Sequence, residues 1–125
     1  MPRALNLLRP EPEFRHDCFT EGLQASGFDV VEHIDKPKPD DAILIWNRYS
    51  SRDAEAKRFR NVLVCENAFV RVKHWYALSL DHHAGLGRWH VGGPERWASL
   101  GIELQPWRDD GTETVVLAQR GIGEK

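Results

Sequence analysis

The sequence predicts an α/β fold, a single Rossmann-like domain with a mostly parallel sheet flanked by helices. Strand-like and helix-like segments alternate between Arg3 and Asn67, which is the order expected of such a sheet. Two of the strand-like segments, Ala42 to Trp46 and Asn61 to Cys65, are almost continuously apolar. Parallel strands covered by helices on both faces have this composition, because neither face meets water.

The first 34 residues predict a β-α-β unit. Arg3 to Leu8 is a short apolar strand that Pro10 stops, and Phe28 to Ile34 is a second strand. A helix from Pro12 lies between them, and Gly27 suits its left-handed C-terminal cap. The helix is expected to bury one face at helical spacing, made of Phe14, Cys18, Phe19, Gly22, Leu23 and Ser26. The connection between the strands should be right-handed.

The next segments are a loop and a short helix. Asp35 to Asp41 is polar and broken by prolines, so we predict a connection that stays outside the core. After the strand at Ala42 to Trp46, Ser50 to Arg60 predicts a charged helix with Ser51 as its N-cap. Its few buried contacts are expected to be Ala54 and Phe59.

The second half predicts less regular structure. Trp75 to Leu80 is a further strand, Asp81 to Arg88 is a glycine-containing loop, and Pro94 to Leu100 is a short helix. Ile102 to Leu104 is an extended piece, and Thr114 to Ala118 is the closing strand. The segment between the last two predicted strands is therefore expected to be irregular and rich in tryptophan and glycine.

Composition limits the class of protein. The chain has 125 residues, which suits one domain, and its formal charge of −2 gives no attraction to nucleic acid or to an anionic membrane. No apolar run approaches the roughly 20 residues of a membrane span, and the N-terminus lacks a signal-peptide pattern. We therefore expect a cytoplasmic protein. Cys18 and Cys65 are expected to be buried free thiols rather than a disulfide.

Polar residues follow three of the predicted strands. In an open α/β sheet the carboxyl ends of parallel strands line one edge, and ligands bind at that edge. The sequence therefore predicts a ligand crevice lined by Asn47, Arg48, Glu66, Asn67, Gln119 and Arg120.

Glu66 and His83 are the two candidates for acid or base chemistry. Burial at a strand end can raise the pKa of a carboxyl such as Glu66, which could instead accept hydrogen bonds from sugar hydroxyls or pair with Arg48 or Arg120. His83 lies in a glycine-rich loop, where backbone can approach a ligand, and histidine titrates near neutrality. The alternative for His82 and His83 is a pair of solvated loop side chains. A metal site is not expected, because adjacent side chains of an extended segment point apart and no HExxH or cysteine pair accompanies them.

Four tryptophans lie in the irregular segment, at positions 75, 89, 97 and 107. Their rings could stack on a sugar or a base, or they could simply pack down a segment with little regular structure. Trp46, at the end of an apolar strand, is expected in the core.

No cofactor is expected. Gly85 and Gly87 do not form a dinucleotide fingerprint, since the third glycine is missing and the pair does not follow the first strand. The turn that does follow the first strand contains Pro10 and Pro12, where a pyrophosphate would need free N–H groups.

Five segments resemble a known group of proteins: WNRY at 46–49, VLVCEN at 62–67, DHHAGLGRW at 81–89, GGPERW at 92–97 and QRGIG at 119–123. Together they look like the N-terminal half of phage and prophage glycosyltransferase-like proteins, which resemble two-domain transferases of the GT-B type. The resemblance implies that this chain receives the acceptor, a small molecule or glycan, and that a C-terminal domain would hold the nucleotide-sugar. We do not expect the chain to be active alone.

The resemblance implies that residues facing the cleft between the two domains, together with the crevice residues, form the acceptor site. Glu66 or His83 would deprotonate the acceptor hydroxyl. The predicted substrate-binding residues are Asn47, Arg48, Asn67, His82, Trp89, Arg96, Gln119 and Arg120. The alternative function is a non-catalytic binding module, phage-encoded, that uses the tryptophan-rich loop and the strand-end crevice to hold a partner protein or a small ligand.

Overall fold

A computed structural model of the protein describes residues 1–11, 13–68, 75–89, 94–106 and 109–114. The chain divides into two compact units, Met1–Val91 and Gly92–Lys125. Among the described residues, the first unit contains the sheet and the two longer helices, and the second contains one short helix.

The first unit is built on a five-stranded sheet. Its strands are β1 (Arg3–Asn6), β2 (Asp29–Val31), β3 (Ala42–Trp46), β4 (Asn61–Asn67) and β5 (Tyr76–Leu80). They lie in the order β2-β1-β3-β4-β5. The first four are parallel, and β5 runs antiparallel to β4. The prediction of an α/β fold with a mostly parallel sheet is confirmed in this form.

Two helices cover opposite faces of the sheet. Helix α1 (Glu13–Ala25) connects β1 to β2, and α2 (Ser50–Ala56) connects β3 to β4. Alternate residues of each strand point to opposite faces, so the core has two layers. The α2 layer contains Leu5, Ile34, Ile43, Ile45, Ala56, Phe59, Val62 and Val64. The α1 layer contains Ala4, Leu8, Leu23, Ala42, Leu44 and Cys65.

Helix α1 buries only part of the predicted face. Leu23 is buried and Phe19 packs against the core, as predicted, whereas Phe14 is 51% exposed and Cys18 is exposed. The Asn6 amide nitrogen at the end of β1 donates to the Thr20 hydroxyl at 2.9 Å, which draws that side of the helix onto the sheet. The expectation that both cysteines are buried is therefore wrong for Cys18, while Cys65 is buried.

The end of α1 is as predicted. Gly27 has a φ of 87°, in the left-handed region that glycine adopts without steric cost. Its N–H donates to the Gln24 carbonyl at 2.9 Å, and the Phe28 N–H donates to the Leu23 carbonyl at 3.0 Å. These two bonds form a Schellman cap, which turns the chain directly into β2.

The connection after β2 is not wholly outside the core, contrary to prediction. Asp41 is 1% exposed, and its buried carboxylate is satisfied by two backbone N–H groups and one guanidinium. The Arg3 backbone N–H and guanidinium donate to it at 2.9 and 2.5 Å, and the Lys38 N–H donates at 2.9 Å. The hydrogen bonds from Arg3 hold the pKa of Asp41 well below its usual range. This ionised carboxylate fastens the connection to the first strand.

Helix α2 is shorter than predicted. It occupies the N-terminal part of the predicted 50–60 segment, and its N-cap position is Tyr49, with no side-chain cap, so Ser51 is not the cap. Ala54 is exposed, and the buried contacts are Ala56 and Phe59. The chain turns after Ala56 to enter β4, and this turn brings Phe59 back under the sheet.

The second unit contains helix α3 (Glu95–Ala98), within the predicted segment from Pro94 to Leu100. Residues 102–104 are exposed and form neither helix nor strand. The predicted closing strand from Thr114 to Ala118 lies outside the described residues apart from Thr114. Within the described part of the chain, none of the helices has the length and apolar character needed to cross a membrane.

Candidate functional site

The candidate site lies where two central strands end. In the order β2-β1-β3-β4, the chain leaves β1 toward one edge of the sheet and leaves β3 toward the other. Ligands of doubly wound sheets bind at such a switch point, beside the carboxyl ends of the two strands. Asn6 ends β1, and its amide is used internally: it donates to the His16 carbonyl and accepts the Leu8 N–H. The polar groups next to β3 therefore carry the site.

These groups form what we call the strand-end cluster. It consists of side chains from the β3 end, from β4 and from the loop after β5: Asn47, Arg48, Tyr49, Glu66, His82 and His83.

Asn47 has two unusual features. Its φ is 51°, which places a non-glycine residue in the left-handed region. Its side-chain nitrogen donates to the Tyr49 hydroxyl at 3.2 Å, but its buried Oδ1 has no hydrogen-bond partner among the described residues. Buried acceptors in folded proteins are almost always paired, so an orphaned one points to a missing partner.

Arg48 organises the cluster rather than presenting a free charge. Its Nε donates to Asp53 of α2 at 2.9 Å, and its Nη1 donates to the Asp81 carbonyl at 2.5 Å. Its side chain is 17% exposed. The guanidinium thus ties the β3 end to the first turn of α2 and to the end of β5.

The protonation of His83 is set by the backbone. The Arg48 N–H donates to His83 Nδ1 at 3.0 Å, so Nδ1 is the acceptor and the ring proton is on Nε2. Burial lowers the pKa of His83, the neighbouring His82 lowers it further, and Glu66 opposes both. At neutral pH His83 is therefore an uncharged ring that offers one N–H donor. Its basic nitrogen is already engaged, which disfavours the predicted role of general base.

His82 and His83 do not point apart as predicted. Their rings stack with centroids 4.5 Å apart, because the segment after β5 is bent rather than extended. The His83 N–H donates to His82 Nδ1 at 2.9 Å, which holds the first ring against the second. Tyr49 completes this aromatic group, with its ring edge-on to His83 at 5.5 Å.

The loop that carries the histidines is closed on itself. Leu80 and Arg88 exchange two backbone hydrogen bonds of 2.8 and 2.9 Å, and Arg88 also pairs with the Asp81 carboxylate. Gly87 is packed against the loop's own atoms: a side chain there would meet the Ser79 side chain and the His82 carbonyl. The glycine that was expected to admit a ligand instead admits the protein's own backbone.

Glu66 and Asn67 lie within β4, not after it, and pair with Ala77 and Tyr76 of β5. Neighbouring residues of a strand face opposite sides of the sheet, so these two side chains do not converge. Glu66 lies on the α2 side, close enough to His83 to oppose part of the lowering of the His83 pKa. Asn67 is exposed on the α1 side, which separates it from the strand-end cluster.

The remaining predicted residues are Trp89, Arg96, Gln119 and Arg120. Trp89 follows the closed loop and is 46% exposed. Arg96 belongs to α3 in the second unit, and its side chain lies outside the described residues, as do Gln119, Arg120 and Trp107.

The opposite face of the β3 end holds an aromatic group that the sequence did not indicate. The Arg15 guanidinium of α1 lies 4.4 Å over the ring of Trp46, and Tyr76 meets that ring edge-on at 6.0 Å. Trp46 is thus only partly buried, under a cation–π contact. Nearby, burial raises the pKa of the Cys65 thiol to about 12, so this thiol is unreactive.

Three contributors to the site were missed in the sequence: Tyr49, Asp53 and Asp81. Asp81 has a φ of 68°, and like Asn47 it ends a strand. An Asn or Asp directly after an apolar strand was the available signal, since these residues tolerate the left-handed region. Asp53 gave no signal, because its pairing with Arg48 depends on where α2 packs.

The residues that the structure describes include no group of three or more His, Cys, Asp or Glu side chains placed to hold a metal ion. Comparisons with protein-family models, with curated proteins and with solved structures found no match. The chemistry of the strand-end cluster therefore has to carry the functional argument. It offers a donor at His83, an acceptor at Asn47 and an exposed aromatic ring at Tyr49.

Proposed function

We propose that this chain is a Rossmann-like, acceptor-binding domain of a glycosyltransferase-like protein. The parallel strand order and the position of the strand-end cluster at the switch point support a ligand site there. The resemblance of five sequence segments to phage glycosyltransferase-like proteins supports the identity of the ligand as a sugar or other hydroxyl-bearing acceptor. A nucleotide-sugar would be held by a second domain.

The observation that carries the proposal is Asn47. A left-handed asparagine costs about 1 kcal/mol, and a buried unsatisfied acceptor costs about 1–3 kcal/mol more. A residue with only a structural role would avoid both costs, since glycine would fit the backbone without strain. A ligand hydroxyl that donates to Asn47 Oδ1 accounts for the second cost. Tyr49, which is 53% exposed and lies against the same amide, would turn aside to admit it.

The other cluster residues take distinct roles. His83 Nε2–H would donate to an acceptor oxygen, and Arg48 is a positioning residue that holds His83 and α2 in place. With His83 Nδ1 occupied, Glu66 is the better candidate for the base that takes the proton of the attacking hydroxyl. That proton would move from the acceptor oxygen to a Glu66 carboxylate oxygen as the acceptor oxygen attacks the anomeric carbon of the nucleotide-sugar. The bond from that carbon to the nucleotide phosphate would break, and the nucleotide would leave with the electron pair.

The test is a ¹H–¹⁵N NMR titration of the protein with glucose, galactose, mannose and N-acetylglucosamine. We expect at least one sugar to shift the amides of Asn47, Arg48, Tyr49 and His83 in a saturable way. Asn47→Gly should weaken this binding at least tenfold while leaving stability unchanged or higher. Asn67→Ala is the matched control, on the other face of the sheet, and should bind like the wild type. No saturable shift with any of the four sugars would refute the proposal.

A non-catalytic binding module is a second candidate, favoured by two exposed tryptophans. Trp89 is 46% exposed and Trp97 is 47% exposed, and large exposed aromatics are typical of interaction sites. In a protein that carries a nucleotide-sugar domain, Glu66→Gln should abolish transfer if the first proposal holds. If the chain is instead a binding module, Trp89→Ala should weaken partner capture without unfolding it, and Glu66→Gln should have no effect.

A further inference from the structure

Within the described residues, three cationic side chains around the strand-end cluster are paired with acids. Arg48 bonds to Asp53, and Lys57 reaches the other oxygen of the same carboxylate at 2.5 Å. Arg88 pairs with Asp81. An incoming phosphate or carboxylate would have to break one of these ion pairs before it could pair with the cation. None of the three cations is therefore free to neutralise such a group.

The strand-end cluster also contains an uncharged ring and a carboxylate, neither of which attracts an anion. His83 is uncharged at neutral pH, because burial and His82 lower its pKa. Glu66 adds a carboxylate close to His83. An anionic ligand group beside Glu66 would bring a second negative charge next to that carboxylate.

Three backbone donors beside the cluster are also engaged. The Arg48 N–H is used by His83 Nδ1, and the N–H groups of Arg52 and Asp53 donate to the Tyr49 carbonyl. Asp53 also lies in the first turn of α2, so a carboxylate already occupies the positive end of that helix.

We propose that the strand-end cluster selects an uncharged, hydroxyl-bearing group, and that it discriminates against the same group carrying a phosphate. This inference rests on the proposed function, since it names the chemical class that the acceptor site takes. Desolvating an anion without a partner is costly, whereas sugar hydroxyls can use the His83 donor and the Asn47 acceptor directly. A phosphorylated acceptor or a nucleotide would have to be bound elsewhere.

The test compares matched ligands at constant ionic strength. The sugar that shifts the cluster amides most strongly is titrated again beside its own 6-phosphate. We expect the phosphate ester to bind at least tenfold more weakly, as read from Asn47, Arg48 and His83. Equal or tighter binding of the ester would overturn this inference and leave the proposed function intact. If neither ligand shifts these amides, the proposed function fails, and this inference fails with it.

A pair of variants tests the cause. Asp53→Asn removes the carboxylate that neutralises Arg48 and Lys57, so it should raise the affinity for the phosphate ester relative to that for the free sugar at least threefold. Glu55→Gln is the matched control on the same helix, where the partner is Arg52 at 3.7 Å, and it should change neither. If Asp53→Asn leaves the ester as weak as before, ion pairing is not the source of selectivity, and the inference is wrong.

Discussion

Gly87 is the position in the histidine loop where an added methyl group has no room. A Cβ built there lies 2.9 Å from both the Cβ and the Oγ of Ser79, and closer still to the His82 carbonyl oxygen. Carbon atoms in ordinary contact are about 3.5–4.0 Å apart, so the overlap is at least about 0.6 Å. Ser79 is 2% exposed and lies in β5, and the carbonyl belongs to the backbone, so neither can move aside cheaply.

Gly87→Ala should therefore destabilise the first unit by about 2–4 kcal/mol. Overpacking costs about 1–3 kcal/mol, and loss of the hydrogen bond from Ser79 Oγ to the His82 carbonyl adds about 1 kcal/mol. Gly85→Ala, two residues earlier, is the matched control. Nothing lies within 4 Å of its added methyl, so its effect should stay within about 0.5 kcal/mol.

Urea unfolding followed by circular dichroism measures this difference. With a slope of about 2 kcal/mol/M, Gly87→Ala should lower the midpoint by about 1–2 M, and Gly85→Ala should barely move it. The ¹⁵N shift of His83 Nδ1 gives an independent readout, because displacement of the loop breaks its bond to the Arg48 N–H. Equal midpoints for the two variants would show that the loop can accommodate the added methyl group, and would refute the packing argument.

Two further predictions concern the charged groups of the fold. Asp41→Asn should lower the free energy of unfolding by about 3 kcal/mol, because the new amide turns an N–H toward the Arg3 and Lys38 donors. Asp40→Asn, at the exposed neighbouring residue, should leave stability unchanged. Equal thermal midpoints for the two variants would contradict this prediction. Stability should also fall as pH drops below His83's ordinary pKa of 6.5, since the unfolded chain takes up a proton that the folded ring, with its lowered pKa, does not bind. The slope of the unfolding free energy against pH should reach at most about 1.4 kcal/mol per pH unit and should level off below the pKa of His83 in the folded protein. The slope should shrink in His83→Asn, which keeps an acceptor for the Arg48 N–H. An undiminished slope in this variant would show that another group takes up the proton.

The sheet was largely predictable because its inner strands are buried on both faces. Ala42 to Trp46 and Val62 to Cys65 are apolar without interruption, which is typical of parallel strands covered on both faces. The direction of β5 was not predictable, since a short apolar strand has the same composition whichever way it runs. The extension of β4 to Asn67 was missed for a related reason: its polar end is held by pairing with β5, not by its own composition.

The site was predictable in its residues more than in its arrangement. Asn47, Arg48 and His83 were all named from the sequence, but the bond between the Arg48 N–H and His83 Nδ1 spans 35 residues. Only the packed fold sets that bond, and it decides which nitrogen of His83 is basic. The buried face of α1 was predicted only in part, because spacing alone does not show that Asn6 draws Thr20 inward. The cap at Gly27 was predicted correctly, because it depends on the backbone of one residue.

The position of β1 inside the sheet has a consequence for synthesis. Of the five described strands, β1 leaves the ribosome before the other four, and it needs β2 on one side and β3 on the other. Its ion pair from Arg3 to Asp41 spans 38 residues. At 5–20 residues per second, roughly 2–8 seconds pass before Asp41 follows Arg3 out. Until β2 emerges, the main chain of β1 has neither neighbour, and until β3 emerges it has at most one. Chaperones can therefore contact β1 for several seconds before the strand lies inside the sheet.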